Sequence, residues 1–124
     1  MGRGLPAMAG SMSKPAIPGG VWSATPTPLN AARRLDADAV PRLVEQHLRL
    51  GVAGVMLAGT CGEGPWLRVE DRAELTRATI AAARGRLRVA LQVTDNSAGR
   101  VLANIEQAAA WGAEIAVVDA PWFF

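Results

Sequence analysis

The sequence predicts a parallel α/β fold made of repeated strand–helix units. Three observations carry this reading. Apolar runs at 52–58, 89–94 and 115–118 lack regular polar alternation, as expected of strands buried on both faces. The segments before them carry apolar residues at helical spacing. Gly51, Gly85 and Gly112 stand between each helical segment and the next apolar run, where a helix C-terminus favours glycine. The order is β-α-β-α-β-α-β, and right-handed crossovers follow from it. Two architectures fit. One is a small doubly wound domain, whose sheet could be complete near this length. The other is the N-terminal half of a (β/α)8 TIM barrel, which needs about 250 residues in full. The fourth strand has no helix after it, so the repeat stops mid-pattern, and that favours the half-barrel: about four parallel strands and three helices over 21–124.

Residues 1–20 are rich in Gly, Pro and Ser and show no periodicity, which reads as a disordered tail. Val21 to Thr25 forms a short first strand, stopped by Pro26 and Pro28. Asp36 and Asp38 both offer N-caps to the first helix. Asp38, or a bent start, is preferred, because it places Pro41 in the first turn, where a missing N–H costs nothing. Val40, Leu43, Val44, His47 and Leu48 make its apolar stripe. The second strand is Val52–Ala58, and a Gly-rich loop follows. The second helix runs from about Val69 to Arg84, with Glu70 and Asp71 favourably placed in its first turn. Val89–Thr94 is the third strand. Ser97 caps the third helix, which presents Val101, Ile105 and Ala108 on one face. Ile115–Val118 is the fourth strand.

Composition narrows the function. The chain has 124 residues, 50% hydrophobic and 19% charged, enough for one domain and one core. Its net charge of +2 is no nucleic-acid footprint. A single cysteine, Cys61, excludes an internal disulfide or a multi-thiolate zinc site, and one histidine, His47, leaves no His-based metal cluster. No metal and no cofactor is therefore expected. No apolar run approaches the roughly 18 residues of a membrane helix. The N-terminus lacks the apolar centre of an export signal. A free thiol then suits a reducing, cytoplasmic setting.

In either architecture ligands sit at the carboxyl ends of strands. Those ends are Thr25-Pro26-Thr27, Gly59-Thr60-Cys61-Gly62-Glu63, Thr94-Asp95-Asn96-Ser97 and Asp119-Ala120-Pro121-Trp122-Phe123. The second is the most informative. Gly59, Gly62 and Gly64 allow tight turning and close approach of a ligand. Thr60 and Cys61 add a hydroxyl and a thiol, and their N–H groups can point at a carboxylate or oxyanion. The same spacing also fits a plain strand-to-helix turn with Glu63 tied to backbone. It matches neither a Walker loop nor GxGxxG.

Gly59-Thr60-Cys61-Gly62-Glu63 resembles the GTTGE motif of the dihydrodipicolinate synthase / N-acetylneuraminate lyase family. Four further marks agree in order. Ser23-Ala24-Thr25-Pro26 resembles the family's first strand. Leu67-x-x-Glu70-x-Arg72 resembles the start of its second helix, with Arg68 in place of a capping Thr. Asn96-Ser97 resembles its Asn-Ser/Thr pair. Val117 to Phe123 resembles its Val-Val-Thr-Pro-Tyr-Tyr segment. The resemblance covers about Val21 to Phe124. It implies a TIM barrel that joins pyruvate, held as a lysine Schiff base, to an aldehyde, or runs the reverse cleavage. It assigns Thr60 to a proton relay and Cys61 to holding the substrate carboxylate, and Thr60, Cys61, Gly59 and Gly62 together to substrate binding. A thiol replaces the family's hydroxyl at Cys61 and is a poorer donor. Trp122 and Phe123 fall at a subunit contact, and Phe123 lacks the hydroxyl of the family's relay tyrosine. The implied partner is a small 2-oxo acid such as pyruvate, in a homo-oligomer.

The Schiff-base lysine lies on a later strand of the family's barrel, beyond Phe124. The only lysine is Lys14, and the sequence has no tyrosine. Arginine cannot replace the amine, because it does not lose its proton. Three functions are weighed: the N-terminal half of a pyruvate-dependent lyase, a non-catalytic half-barrel that binds a small carboxylate or oligomerises, and a complete small doubly wound binding module, against which the five marks argue. Among single residues, His47 reads as a packed core histidine and Trp22, Trp66, Trp111 and Trp122 as packing, although Trp66 and Trp122 follow strand ends and could wall a pocket. Asp95 and Asp119 could pair as acid and base but read better as solvated or capping carboxylates. The arginines of the second and third helices read as a solvated outer face.

Overall fold

The computed structural model of the chain describes residues 16–121. Four strands, β1 (Trp22–Ala24), β2 (Gly54–Leu57), β3 (Arg88–Gln92) and β4 (Ile115–Val117), form one sheet in the order β1-β2-β3-β4, and every pair is parallel. Helices α1 (Val40–Arg49), α2 (Val69–Ala83) and α3 (Ala98–Ala110) alternate with them. Each strand lies beside its predecessor in sequence, as in a barrel wall. A doubly wound sheet reverses its order at a switch point, and this one does not. The half-barrel is the architecture found.

The period of two along a strand divides the sheet into two faces. On one face Val55 pairs with Val89 and Leu57 with Leu91. These four, with Val93, pack against Val40 and Val44 of α1 and Leu75 and Ala83 of α2 in one core. Leu91, Val93 and Val40 are fully shut off from solvent, and burying such a side chain contributes roughly 1.5–3 kcal/mol. On the other face Ala24, Met56, Ala90 and Ile115 line up across all four strands. This is the face that lines a barrel. At its N-terminal end the Trp22 indole lies over Gly54, where a Cβ would overlap the ring. Trp22 also donates through Nε1 to the Pro18 carbonyl, 3.2 Å away.

Polar residues inside the helix layer are satisfied locally. Thr76 and Thr79 donate to the carbonyls of Arg72 and Leu75 one turn back. His47 is buried, with Nδ1 2.8 Å from the Leu43 carbonyl and Nε2 3.0 Å from Ser23 Oγ, so it is the packed histidine the stripe implied. Gly51, Gly85 and Gly112 all adopt positive φ at the helix exits.

Two local expectations are corrected. Asp38 does not cap α1: it lies in a 3-10 turn over Ala37–Ala39, and Ala39 precedes the α-helix without a side-chain cap. The chain enters α1 through a bent start, and Pro41 occupies the first turn as expected. Arg72 does not join a solvated arginine face. It is half-buried and its Nη2 donates to the Gln92 carbonyl at 2.6 Å. Ser97 caps α3 as expected, its Oγ accepting from Arg100 N at 3.3 Å. Of the supposed tail, residues 1–15 lie outside the described residues, and 16–20 run without regular structure to β1.

Candidate active site

The loop after β2 is built from both ends. Ala58 and Glu63 adopt left-handed φ of 54°, a conformation that costs a non-glycine residue of order 1–3 kcal/mol. Between them the backbone closes on itself. Gly62 N and Gly64 N both donate to the Gly59 carbonyl, at 3.1 and 3.0 Å, and Glu63 N donates to the Thr60 carbonyl at 3.1 Å. A Cβ on Gly64 would overlap the Ala58 carbonyl, so only glycine lets the chain turn back under the strand end. From β1, Thr27 Oγ1 donates to the Gly62 carbonyl at 2.6 Å, and Thr25 N donates to the Met56 carbonyl at 3.2 Å.

This closure leaves Thr60 and Cys61 outermost. Both are exposed, and neither N–H has a hydrogen-bond partner among the described residues. Two adjacent free N–H groups at a strand's carboxyl end can receive a carboxylate or an oxyanion. The side chain of Glu63 is exposed and makes no hydrogen bond among the described residues; only its N–H is tied to the backbone. Trp66 is 77% exposed and is not packing. Trp122 and Phe123 lie outside the described residues.

The two aspartates at the ends of β3 and β4 are held separately. Asp95 accepts from Asn96 N at 2.7 Å, pairs with Arg100 Nε at 2.8 Å and receives Asn104 Nδ2 at 3.4 Å. Burial alone would raise its pKa, but those donors hold it below the usual carboxylate value. Asp119 instead accepts from Gln92 Nε2 at 2.6 Å. They do not form an acid–base pair with each other. Asp95, Arg72, Arg100 and Asn104 line a cleft of about 310 Å3 between the start of α2 and that of α3, which Ala58 and Gly64 of the loop also border. Desolvation lowers the Arg72 pKa against the attraction of Asp95, and its buried Nε has no hydrogen-bond partner among the described residues.

Sequence reasoning singled out Thr60, Cys61, Gly59 and Gly62, and the structure brings them into one loop. It missed the anchors, Thr27 and Gln92. The polar Thr25-Pro26-Thr27 strand end was the available signal for the first; an isolated Gln in an apolar strand was the signal for the second. No group of three or more metal-ligating side chains occurs among the described residues.

A half-barrel wall of four parallel strands with a Gly-rich loop crowning β2 defines the fold of an α/β-barrel protein. The model of the dihydrodipicolinate synthetase family matches residues 17–124, and the chain belongs to that family. It is 35% identical over 102 residues to the 4-hydroxy-tetrahydrodipicolinate synthase of Xanthomonas campestris pv. campestris, covering 82% of this chain and 34% of that one. The chain thus spans about a third of the length of the curated relatives it matches. The dihydrodipicolinate synthase structure from Thermotoga maritima superposes with a TM-score of 0.82 at 30% identity, over 87% of this chain and 36% of that one. That from Acinetobacter baumannii, complexed with pyruvate, gives 0.79 at 25% identity, over 84% and 36%.

Proposed function

We propose that residues 21–124 supply the 2-oxo-acid-binding part of a pyruvate-dependent lyase or aldolase that works through a lysine Schiff base. The observation that carries this is the pair of free N–H groups at Thr60 and Cys61, aimed away from a loop closed by its own backbone. A 2-oxo acid carries a carboxylate that such a pair can receive. Thr60 Oγ is placed to pass a proton, and the Cys61 thiol lies beside the bound carboxylate. The complexes of relatives with pyruvate support this ligand class. The amine must come from outside 21–124, because Lys14 is the sequence's only lysine. Gln, Thr and Asp at the strand ends cannot form a Schiff base.

The test is an amide-resolved NMR titration of the chain with pyruvate, followed by borohydride reduction. Shifts centred on Thr60 and Cys61 with no reduced adduct in 21–124 are expected. Shifts centred elsewhere, or none, refute the site; an adduct located in 21–124 refutes the chemistry.

A second reading is a carboxylate-binding half-barrel without catalysis; within 21–124 no side chain can form the Schiff base. Turnover of pyruvate and an aldehyde by any preparation containing this chain would exclude it. In both readings we infer self-association in a cytoplasmic setting. β1 and β4 each present an unpaired edge within the described sheet, and the inner face is apolar. Sedimentation at micromolar concentration should give a dimer or larger species; a compact monomer refutes it. No helix among the described residues is long and apolar enough to cross a membrane.

A further inference from the structure

The inner face of the sheet ends in a polar cluster that the Thr60 loop does not include. Gln92 pairs with Val117 across β3 and β4 on that face. The Gln92 side chain is buried and hydrogen-bonded at both its oxygen and its nitrogen. Its Oε1 accepts from Val93 N at 3.0 Å, Thr94 N at 3.2 Å and Thr94 Oγ1 at 2.7 Å. Three donors on one oxygen fix the amide's orientation, so Nε2 must point the other way. It donates to Asp119 Oδ2 at 2.6 Å. Asp119 N in turn donates to Thr94 Oγ1 at 2.8 Å. Gln92 therefore holds the carboxylate, and Thr94 holds the backbone that carries it. Asp119 itself is exposed, and Oδ1 has no partner among the described residues.

A buried amide is expensive to desolvate, and here the bond from its Nε2 goes to one exposed carboxylate. That carboxylate stands at the carboxyl end of β4, above a floor of Met56, Ala90 and Ile115. Strands about 4.8 Å apart put the ends of β2 and β4 about 10 Å from each other. A three-carbon acid seated on the Thr60 loop does not reach that far. Asp119 thus meets the far end of a longer ligand, or a second reactant beside a short one. An anchored anion there attracts a cation or hydrogen-bond donor and repels a second carboxylate.

We propose that Asp119, positioned by Gln92 and Thr94, is a specificity-determining residue that selects ligands carrying an ammonium group at the end remote from their carboxylate. The carboxylate half of this rests on the Thr60 site proposed above.

The experiment uses the full chain, labelled for amide-resolved NMR, and two six-carbon probes that differ only at the far end: 6-aminohexanoate and hexanoate. Pyruvate is a third, short probe. The expected result is that 6-aminohexanoate binds about three- to fivefold more tightly than hexanoate, the scale of a partly solvated ion pair, and shifts the Gln92 side-chain amide as well as Thr60 and Cys61. Asp119→Asn should abolish the preference. Gln92→Met should reduce it, since the carboxylate remains but loses its holder. Glu106→Gln, an exposed α3 carboxylate outside the cluster, should leave it intact. The spectra report directly whether each variant is folded. Equal affinity for the two probes, or a preference that survives Asp119→Asn or stays whole in Gln92→Met, overturns the proposal. If pyruvate and hexanoate leave Thr60 and Cys61 unshifted while the ammonium end still perturbs Gln92 and depends on Asp119, the Thr60 site is refuted and the recognition by Asp119 stands.

Discussion

On the helix-covered face of the sheet, Leu57, Leu91 and Val93 are shut off from solvent. On the opposite face Ala24 is exposed, and Met56, Ile115 and Val117 are only half-buried. The same strands therefore carry two environments that differ in what must surround them. The helix-facing side is completed by the neighbours of each strand in sequence: α1 and α2 bring Val40, Val44 and Leu75 onto β2 and β3. The inner face of a barrel is filled by side chains from strands across the axis, so residues 21–124 cannot complete it among themselves. The core that sets stability lies under the helices, and the ligand contacts proposed above fall on the inner face and at its rim.

The comparison breaks most visibly at the core. Leu91→Ala, beneath the helices, should cost about 2–5 kcal/mol in denaturant unfolding; a loss under about 1 kcal/mol would mean that the helix-facing side is not the stabilising one. Next is the loop that joins the sides. Gly64→Ala forces a Cβ into the Ala58 carbonyl and should cost about 1–3 kcal/mol, the range of overpacked sites. It should also erase the pyruvate shifts at Thr60 and Cys61; unchanged stability and shifts would show that the turn does not need glycine.

A smaller effect separates electrostatics from packing. Arg34 holds Asp71 through two bonds, Nε to Oδ2 at 2.8 Å and Nη2 to Oδ1 at 3.0 Å. The Arg34 hydrogen bond keeps the Asp71 pKa below its ordinary value, against the opposing effect of burial. With the folded pKa below the unfolded one, its stabilisation is whole above the unfolded pKa of about 3.9 and disappears as pH falls through the folded pKa. Unfolding midpoints between neutral pH and strong acid should therefore fall more in the native sequence than in Asp71→Asn; parallel profiles would rule out the linkage. Smallest of all, Ala24→Ser on the exposed inner face should change stability by no more than about 0.5 kcal/mol. A larger loss in the unfolding midpoint would mean that something already covers that face.

The alternating units were legible because each leaves a local mark: an apolar run, a helical stripe and a glycine at the exit. Thr60 and Cys61 were legible for the same reason, since a Gly-rich loop after an apolar strand is a contiguous pattern. Arg72, Asp71 and Asp119 were not. Arg72 reads as one of several helix arginines until β3 places the Gln92 carbonyl in its reach. Asp71 reads as a first-turn acid until the loop at 30–35 returns Arg34 to it, 37 positions away in sequence. Asp38 looked like a cap because capping preference is local, yet the Asp36 carbonyl accepts from Ala39 N at 3.1 Å and tightens the start into a 3-10 turn. Side-chain pairings made across the sheet have no signature in a short window.

The uninterrupted strand order has a consequence for synthesis. Ser23 meets Val55, Val55 meets Val89 and Leu91 meets Ala116, so each closure spans only about 25–35 residues, and doubling a loop adds no more than roughly 0.6 kcal/mol to its closure entropy. Within β1–β4, each strand after the first leaves the ribosome with its partner already made, and none of the four is inserted between two earlier ones. Growth of the wall is directional, and β4 is its advancing edge.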